Sequence, residues 1–529
     1  MSFKRLPLLV GAAIIATALF VANAPAVQSS TSAGAGNGKS AVSGSATGAG
    51  SPPGGVIPGL SLLDSQLQIE IQAHGLTGDA SIGRTLPDIS DPLPQLGMDL
   101  FFTKGLGGDM DSACATCHHP ALAGGDALSV GVGVHAVDQD LLGPGRTHKA
   151  GSPNFDGGPT IPRNSPTTFN IGLYDKSMFW NGRVESLGAT PGLNGDDGLG
   201  ITSPDVPYPT IDPLCPSNLA QAQARFPVTS MDEMRGFIFE FGNFPQPVRE
   251  HLAARIGDYG IGAGEMPYSH WLDKFRVAFN DPAGTAPDLI TEQNIAIALS
   301  EYERSQIFVD NPWRDYVQGN VNAISDDAKR GALLFFRDQN KGGANCASCH
   351  SGDFFTDEEH YVLAMPQVGR GQSVNIGYTQ DFGRFLVDGL QQNNHAFRTP
   401  TLLNVAITGP WSHSGAYTTL EGVVKHHLDP WVALNNYDFG QLAPDVQVSD
   451  TLTNTTAAYA QLLWNRNNGF TTVENVSLTQ QEIDQILAFL DTLTDPNATN
   501  RAYLDAWIPS SPDPDGLRLV GHDQYGNPL

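Results

Sequence analysis

The sequence predicts a mainly α-helical protein of two similar domains, with long irregular loops and few short strands. Three observations carry that expectation. Cys114-Ala-Thr-Cys117-His118 recurs as Cys346-Ala-Ser-Cys349-His350, so one module is used twice. An apolar helical pattern precedes each motif, Gln95 to Phe102 before the first and Ser325 to Phe336 before the second. Finally, 58 Gly and 37 Pro leave much of the backbone outside regular elements.

The repeated motif carries the chemistry. Two thiols three positions apart can add across the vinyl groups of one haem, and the adjacent His supplies a proximal imidazole. A lone Cys-x-x-Cys also fits a zinc half-site or a redox dithiol. Here four of the five cysteines fall into two Cys-x-x-Cys-His units, which favours two covalently bound c-type haems. Cys114, Cys117 and His118 would hold the first; Cys346, Cys349 and His350 would hold the second. The domains are therefore expected to be cytochrome c-like. Cys215 is left without a partner and is expected to be a buried free thiol.

With 529 residues the chain can build two or three real cores. Its formal charge of -26 speaks against nucleic acid and against an anionic membrane surface, both of which would repel it. Residues 1–26 read as an export signal, with Lys4 and Arg5, an apolar run from Leu8 to Val21, and Ala24-Pro-Ala26 as the cleavage site. A periplasmic or otherwise exported protein follows. Membrane attachment would require that signal to stay uncleaved.

Residues 27–59 are Ser, Ala, Gly and Pro with little bulk, a flexible tether. An N-terminal domain is expected over 60–285, with a Gly-, Asp- and Pro-rich surface insertion at 188–219 held by its own contacts or a cation. The C-terminal domain is expected over 286–529. Helices are expected from Pro247 to Ile256, from Tyr268 to Phe279 and from Thr291 to Val309, the last capped by Thr291. Ser477-Leu-Thr-Gln-Gln-Glu482 is expected to cap a final helix reaching Leu493.

Two haems in one chain can simply conduct electrons. Catalysis needs one iron with an openable sixth position and an acid–base group above it, while the other stores electrons. Between the motifs, Gln223 and Glu233 offer an amide and a carboxylate. A carboxylate there could take a proton from peroxide and return it to the leaving oxygen. On residue type alone, Glu233 reads as a solvated loop residue and Trp180 as core packing.

Taken in order, the motifs resemble the bacterial dihaem cytochrome c peroxidase and MauG family from about Leu93 to Thr494. They are Leu100-Phe-Phe, Arg163-Asn164-x-Pro-Thr, Phe179-Trp180-x-Gly-Arg183-Val-x-Ser-Leu187, Glu233-Met234, Lys329-Arg-Gly331, Phe397-Arg-Thr-Pro-Thr-Leu-x-Asn404-Val-Ala, Pro410-Trp-x-His413-x-Gly415 and Thr419-Leu-Glu-x-Val-Val424. The resemblance implies a peroxide site at the first haem, with Gln223 and Glu233 above it and Trp180 between the haems. It also implies a calcium ion near Asn164, with backbone carbonyls near Thr399 and Pro400, and propionate or loop contacts for Arg163, Arg183 and His413. The insertion between Ser186 and Gln223 departs from the family pattern.

Distal ligands differ within the family. Peroxidase members place a His in the glycine-rich loop, where His135 stands here, although alignment on Ser129-Val-Gly131 puts Val132 at that position. His119 is expected to face solvent. For the second haem, the family's Met or Tyr position is filled by His427, with His426 as the other candidate. A His there lowers the haem potential relative to Met.

The function expected is reaction with hydrogen peroxide at the first haem, storage of oxidising equivalents with the second, and MauG-like oxidation of a partner protein. Alternatives are a conventional peroxidase drawing electrons from a small cytochrome or cupredoxin, a non-catalytic dihaem electron carrier, and an oxygenase like the rubber-cleaving dihaem enzymes.

Overall fold

The helix ahead of each Cys-x-x-Cys-His motif crosses a much later helix, and at both crossings the contact point is a glycine. A computed structural model describes residues 60–529 apart from 154, 216–217, 373–376 and 378; the expected export signal and tether lie outside the described residues. Pro92–Phe102 crosses Glu292–Arg304 at Gly97, where an added Cβ would stand 1.9 Å from the Ala298 carbonyl oxygen. Asp326–Phe336 crosses Gln480–Asp491 at Gly331, where a Cβ would stand 1.8 Å from the Gln485 carbonyl. Only a residue without a side chain lets the backbones approach this closely.

Local chemistry sets where these helices start. Pro92 and Pro94 occupy the first turn of their helix, where no amide donor is needed. Thr291 accepts from the Asn294 amide at 3.2 Å, and Ser325 from the Ala328 amide at 3.2 Å. The helix Gln480–Asp491 starts inside the expected Ser477–Glu482 capping stretch. Its capping box is Thr479 with Glu482, the Thr479 amide donating to Glu482 at 2.7 Å, so Ser477 lies outside it. Pro245–Ile256 and Trp271–Ala278 fall close to their expected bounds, while the Thr291 helix stops at Arg304.

Each helix pair anchors a core beside its own motif. Leu96, Leu100, Phe101, Leu299, Tyr302 and Phe308 build the first, against which Cys114 packs. In the second, against which Cys346 packs, Phe489 sits among Trp313, Phe335, Phe336 and Phe355 with ring centroids 5.0 to 6.2 Å apart. Each such buried aromatic contributes about 1.5–3 kcal/mol of apolar burial.

The cores do not divide at 285/286. The Glu292–Arg304 helix belongs to the first core, and the chain end returns to it through Leu504, Trp507 and Leu519. Conversely, Leu62–Ala73 sends Leu67 and Ile71 into the second. Periodicity shows that a helix has an apolar face but not which helix covers it, so a boundary drawn from the motifs missed this exchange.

The 188–219 insertion is tied down by its own contacts. Ile201–Thr202 pairs with Val184–Ser186, which pairs with Ser177–Met178, in a three-stranded antiparallel sheet. Ile201, Cys215 and Leu219 join Tyr174, Met178, Val184 and Phe226 in a third apolar cluster. Asp175 accepts from the amides of Gly192 at 2.9 Å and Asn194 at 2.8 Å, and pairs with Arg84 at 2.8 Å. Cys215 is a buried free thiol, as expected, donating to Asp212 at 3.2 Å.

The helix Thr451–Asn468 was not foreseen. Much of its buried face is polar: Gln461 donates to the Gln391 carbonyl at 2.9 Å and Asn465 to the Gln392 carbonyl at 2.8 Å. A helix docked through amides gives little apolar periodicity.

Candidate dihaem site

Both attachment motifs open onto one cavity of ≈ 400 Å³. Cys114–Cys117 form a single α turn and Cys346–Ser348 a 3₁₀ turn, and either turn brings positions three apart to one side. Four imidazoles line the cavity: those of His118, His350, His413 and His427.

Three of them share one arrangement. Nδ1 lies 3.2 Å from the Gly124 carbonyl in His118, 3.1 Å from the Phe355 carbonyl in His350 and 2.8 Å from the Val423 carbonyl in His427. A carbonyl only accepts, so Nδ1 carries the proton and Nε2 keeps the lone pair that a metal requires. Burial lowers the pKa of all three, and with His427 nearby holds His350 down to about 4, so the rings are neutral.

The His350 and His427 ring centroids stand 6.3 Å apart. Two metal–imidazole bonds of about 2 Å each, plus the distance from each nitrogen to its ring centre, fill that gap with one iron. His426 is already engaged at both nitrogens, Nδ1 by the Tyr417 hydroxyl at 2.7 Å and Nε2 by the Leu363 carbonyl at 2.8 Å.

Buried donors without protein partners test the fit of the haem carboxylates. Arg163 Nη1, Arg398 Nη1 and His413 Nε2 line the cavity and are unsatisfied within the protein. Arg163 is held by both oxygens of Asp381 at 2.7 and 2.8 Å. Burial would raise the Asp381 pKa, but this guanidinium holds it well below the usual carboxylate range. His413 stacks on Phe397 at 3.6 Å, and Arg183 lies 3.6 Å over the Phe179 ring. Burial depresses Arg183 to about 10, with Glu233 acting the other way. These residues fit two haems.

Gln223, Glu233, Trp180 and Asn164 all line the same cavity. Gln223 ends a short helix, Leu219–Ala224, whose Leu219 and Ala222 are fixed in the insertion's apolar cluster. Glu233 lies on a wide π turn, Met231–Arg235, and its carbonyl accepts from Ser112 Oγ at 3.1 Å, which pins it beside the first motif. Burial raises the Glu233 pKa, Arg183 lowers it and Asp232 raises it, with a net upward shift. Trp180 Nε1 donates to the Asn164 backbone carbonyl at 2.9 Å, and Asn164 Nδ2 donates to the Leu128 carbonyl at 2.8 Å.

Two histidines stand elsewhere. His135 is not among the cavity-lining residues; its Nε2 pairs with Asp109 at 2.8 Å, and its ring packs on His148 and Phe237. His119, expected to face solvent, is 1% exposed and meets the Phe102 ring edge-on at 5.4 Å. Two residues past Cys117, its side chain packs against Phe102 of the first core. Its Nδ1 accepts from the Ala121 amide at 3.2 Å.

Glu303 also lines the cavity, and the sequence reading passed over it. It is 5% exposed, and burial raises its pKa to about 8. The signal was present: Glu303 follows buried Leu299 by four residues and so lies on the inward face of its helix.

A family model described as di-haem cytochrome c peroxidase matches residues 92–322. Over residues 92–322 this chain is similar to the dihaem cytochrome c peroxidase and MauG family. It resembles the methylamine utilization protein MauG of Methylorubrum extorquens, 26% identical over 63% of this chain and 67% of the relative. It also resembles the cytochrome c551 peroxidase of Pseudomonas aeruginosa, 26% identical over 68% and 76% respectively.

Among solved structures, a MauG-like protein associated with microbial copper homeostasis aligns with a TM-score of 0.50 at 18% identity, over 79% of this chain and 96% of that one. A variant of the diheme peroxidase BthA from Burkholderia thailandensis aligns with a TM-score of 0.50 at 20% identity, over 83% and 92%. These two likenesses concern the fold. The relatives it resembles are peroxidases and MauG, which are haem oxidoreductases, and the matched di-haem family implies two c-type haems. No helix among the described residues is long and apolar enough to cross a membrane.

Proposed function

We propose that this is an exported dihaem enzyme that reacts with hydrogen peroxide at the first haem, shares the oxidising equivalents with the second, and oxidises a partner protein. The observation that carries the reading is the asymmetry of the cavity. His427 faces His350 across it, whereas Glu233 stands beside the first motif and Gln223 lines the same cavity. When bound, the first haem supplies the iron at which peroxide is cleaved, and the second a store for one oxidising equivalent.

The chain's own residues do the rest. Glu233 takes a proton from peroxide and returns it to the departing oxygen, and its raised pKa keeps the proton available for return. Gln223 orients the peroxide. Trp180, with its indole hydrogen-bonded to Asn164, relays electrons between the haems. Arg163, Arg183, Arg398 and His413 hold the haem carboxylates. A calcium ion between the haems would use Asn164; among the described residues no cluster of three His, Cys, Asp or Glu side chains forms a further metal site.

The His350/His427 pair favours the MauG-like branch. Replacing Met by His lowers the potential of the second haem, which makes it a poorer acceptor from a high-potential cytochrome and a better holder of oxidising equivalents. The conventional peroxidase, with a small cytochrome or cupredoxin as donor, is the second reading. Stopped-flow absorbance of the fully oxidised protein with one equivalent of peroxide and no reductant separates them. A long-lived oxidised species supports the proposal. Reaction only after one-electron reduction supports the peroxidase, and no reaction in either state returns the chain to the electron carriers.

A further inference from the structure

We propose that Tyr361 is a redox station of the second haem, releasing one electron to it while its phenolic proton passes to Asp357. The inference rests on the peroxide reading above and adds a protein side chain to the route. Among the described residues two phenols line the cavity, Tyr174 and Tyr361, and their surroundings are opposite. The Tyr361 hydroxyl donates to Asp357 Oδ2 at 2.8 Å and lies against the sulfur of Cys349, an attachment point of the second haem. Tyr174 instead accepts from the Thr401 amide at 3.2 Å and carries the Arg398 guanidinium 4.0 Å over its ring. A cation stacked on a ring opposes removal of an electron from it, whereas a carboxylate at the hydroxyl favours it.

The geometry around Tyr361 is fixed. His360–Tyr361 pairs antiparallel with Phe397–Arg398, Tyr361 standing opposite Phe397. The Arg398 amide donates to the Trp180 carbonyl at 2.7 Å, so one strand pair ties Tyr361 to the backbone of Trp180. Asp357 is held in turn, its Oδ1 accepting from the Glu359 amide at 2.9 Å. Burial and then the Asp357 contact raise the Tyr361 pKa, so the phenol stays protonated and its electron and proton leave together.

The step balances. The Tyr361 O–H bond breaks and an O–H bond forms on Asp357 Oδ2; one electron goes to the haem pair. The products are a neutral tyrosyl radical and a neutral carboxylic acid. The oxidant is the haem pair after it has delivered two electrons to one hydrogen peroxide, and an electron from a partner side chain or reductant reverses the step.

Low-temperature EPR of the holoprotein, grown with ring-deuterated tyrosine and treated with peroxide, tests this while haem absorbance is followed in the same sample. The expected result is a radical signal narrowed by deuteration and absent from Tyr361→Phe. In Asp357→Asn its formation slows about 10²-fold, the loss typical of a removed proton acceptor. If the haem bands respond but Tyr361→Phe keeps the same signal, or no tyrosine signal forms in the wild type, the Tyr361 assignment is overturned and the peroxide reading stands. Haem bands that ignore peroxide overturn both. Should Tyr361→Phe not fold, an unchanged rate in Asp357→Asn overturns the assignment by itself.

Discussion

His350 and His427 face each other across the cavity with ring centroids 6.3 Å apart, each with Nδ1 turned onto a backbone carbonyl. The helix Leu420–Leu428 that carries His427 also carries His426, whose ring is consumed by Tyr417 and Leu363. Two adjacent histidines therefore have separate tasks, one free to bind metal and one bracing the helix.

Substituting each distinguishes the tasks. His427→Met is expected to raise the midpoint potential of the second haem and to alter its low-spin EPR signal, read by potentiometry and EPR. His426→Phe is expected to leave that signal unchanged while costing about 1–3 kcal/mol of stability, because the Tyr417 hydroxyl and the Leu363 carbonyl lose their partner.

Glu233→Gln keeps the shape of the side chain and removes its ability to exchange a proton. The peroxide reaction is expected to slow by about 10²–10⁴-fold in stopped-flow measurements. Glu233 acts as a base only when ionised, so the wild-type rate rises with pH through its elevated pKa, and the variant's rate should lose that rise.

Glu303 gives a stability signature of defined sign. Its folded pKa of about 8 lies above the value in the unfolded chain, so between the two the folded state binds more protons and stability falls as pH rises. Glu303→Gln is expected to gain stability relative to wild type from about pH 4.5 to pH 8, by up to a few kcal/mol, as read from thermal unfolding across that range.

Gly331→Ala drives a methyl group to 1.8 Å from the Gln485 carbonyl oxygen. The helices must separate, at a cost of about 1–3 kcal/mol or more. Calorimetry should show a lower Tm, and the second motif's haem band should broaden as Asp326–Phe336 shifts.

The attachment chemistry was legible because covalent linkage fixes residue types at fixed spacing. His427 and His426 both came from the family pattern, and what separates them, which ring is already hydrogen-bonded, is visible only in the structure. His135 read as a distal candidate from its place in a glycine-rich loop, yet Asp109 draws it away from the cavity. Glu303 and Tyr361 went unnoticed because no local motif marks them; their setting comes from a helix face and a two-residue strand pair. Similarly, core membership runs across 285/286: Leu67 reaches the second core and Trp507 the first, which neighbouring residues do not encode.

In the proposed function the two haems differ, the second held by His350 and His427 and the first open beside Glu233. EPR of the resting, fully oxidised holoprotein at low temperature tests it most directly. One high-spin and one low-spin ferric signal are expected in equal amounts, the high-spin signal vanishing with stoichiometric peroxide. Two low-spin signals that do not respond to peroxide would contradict it.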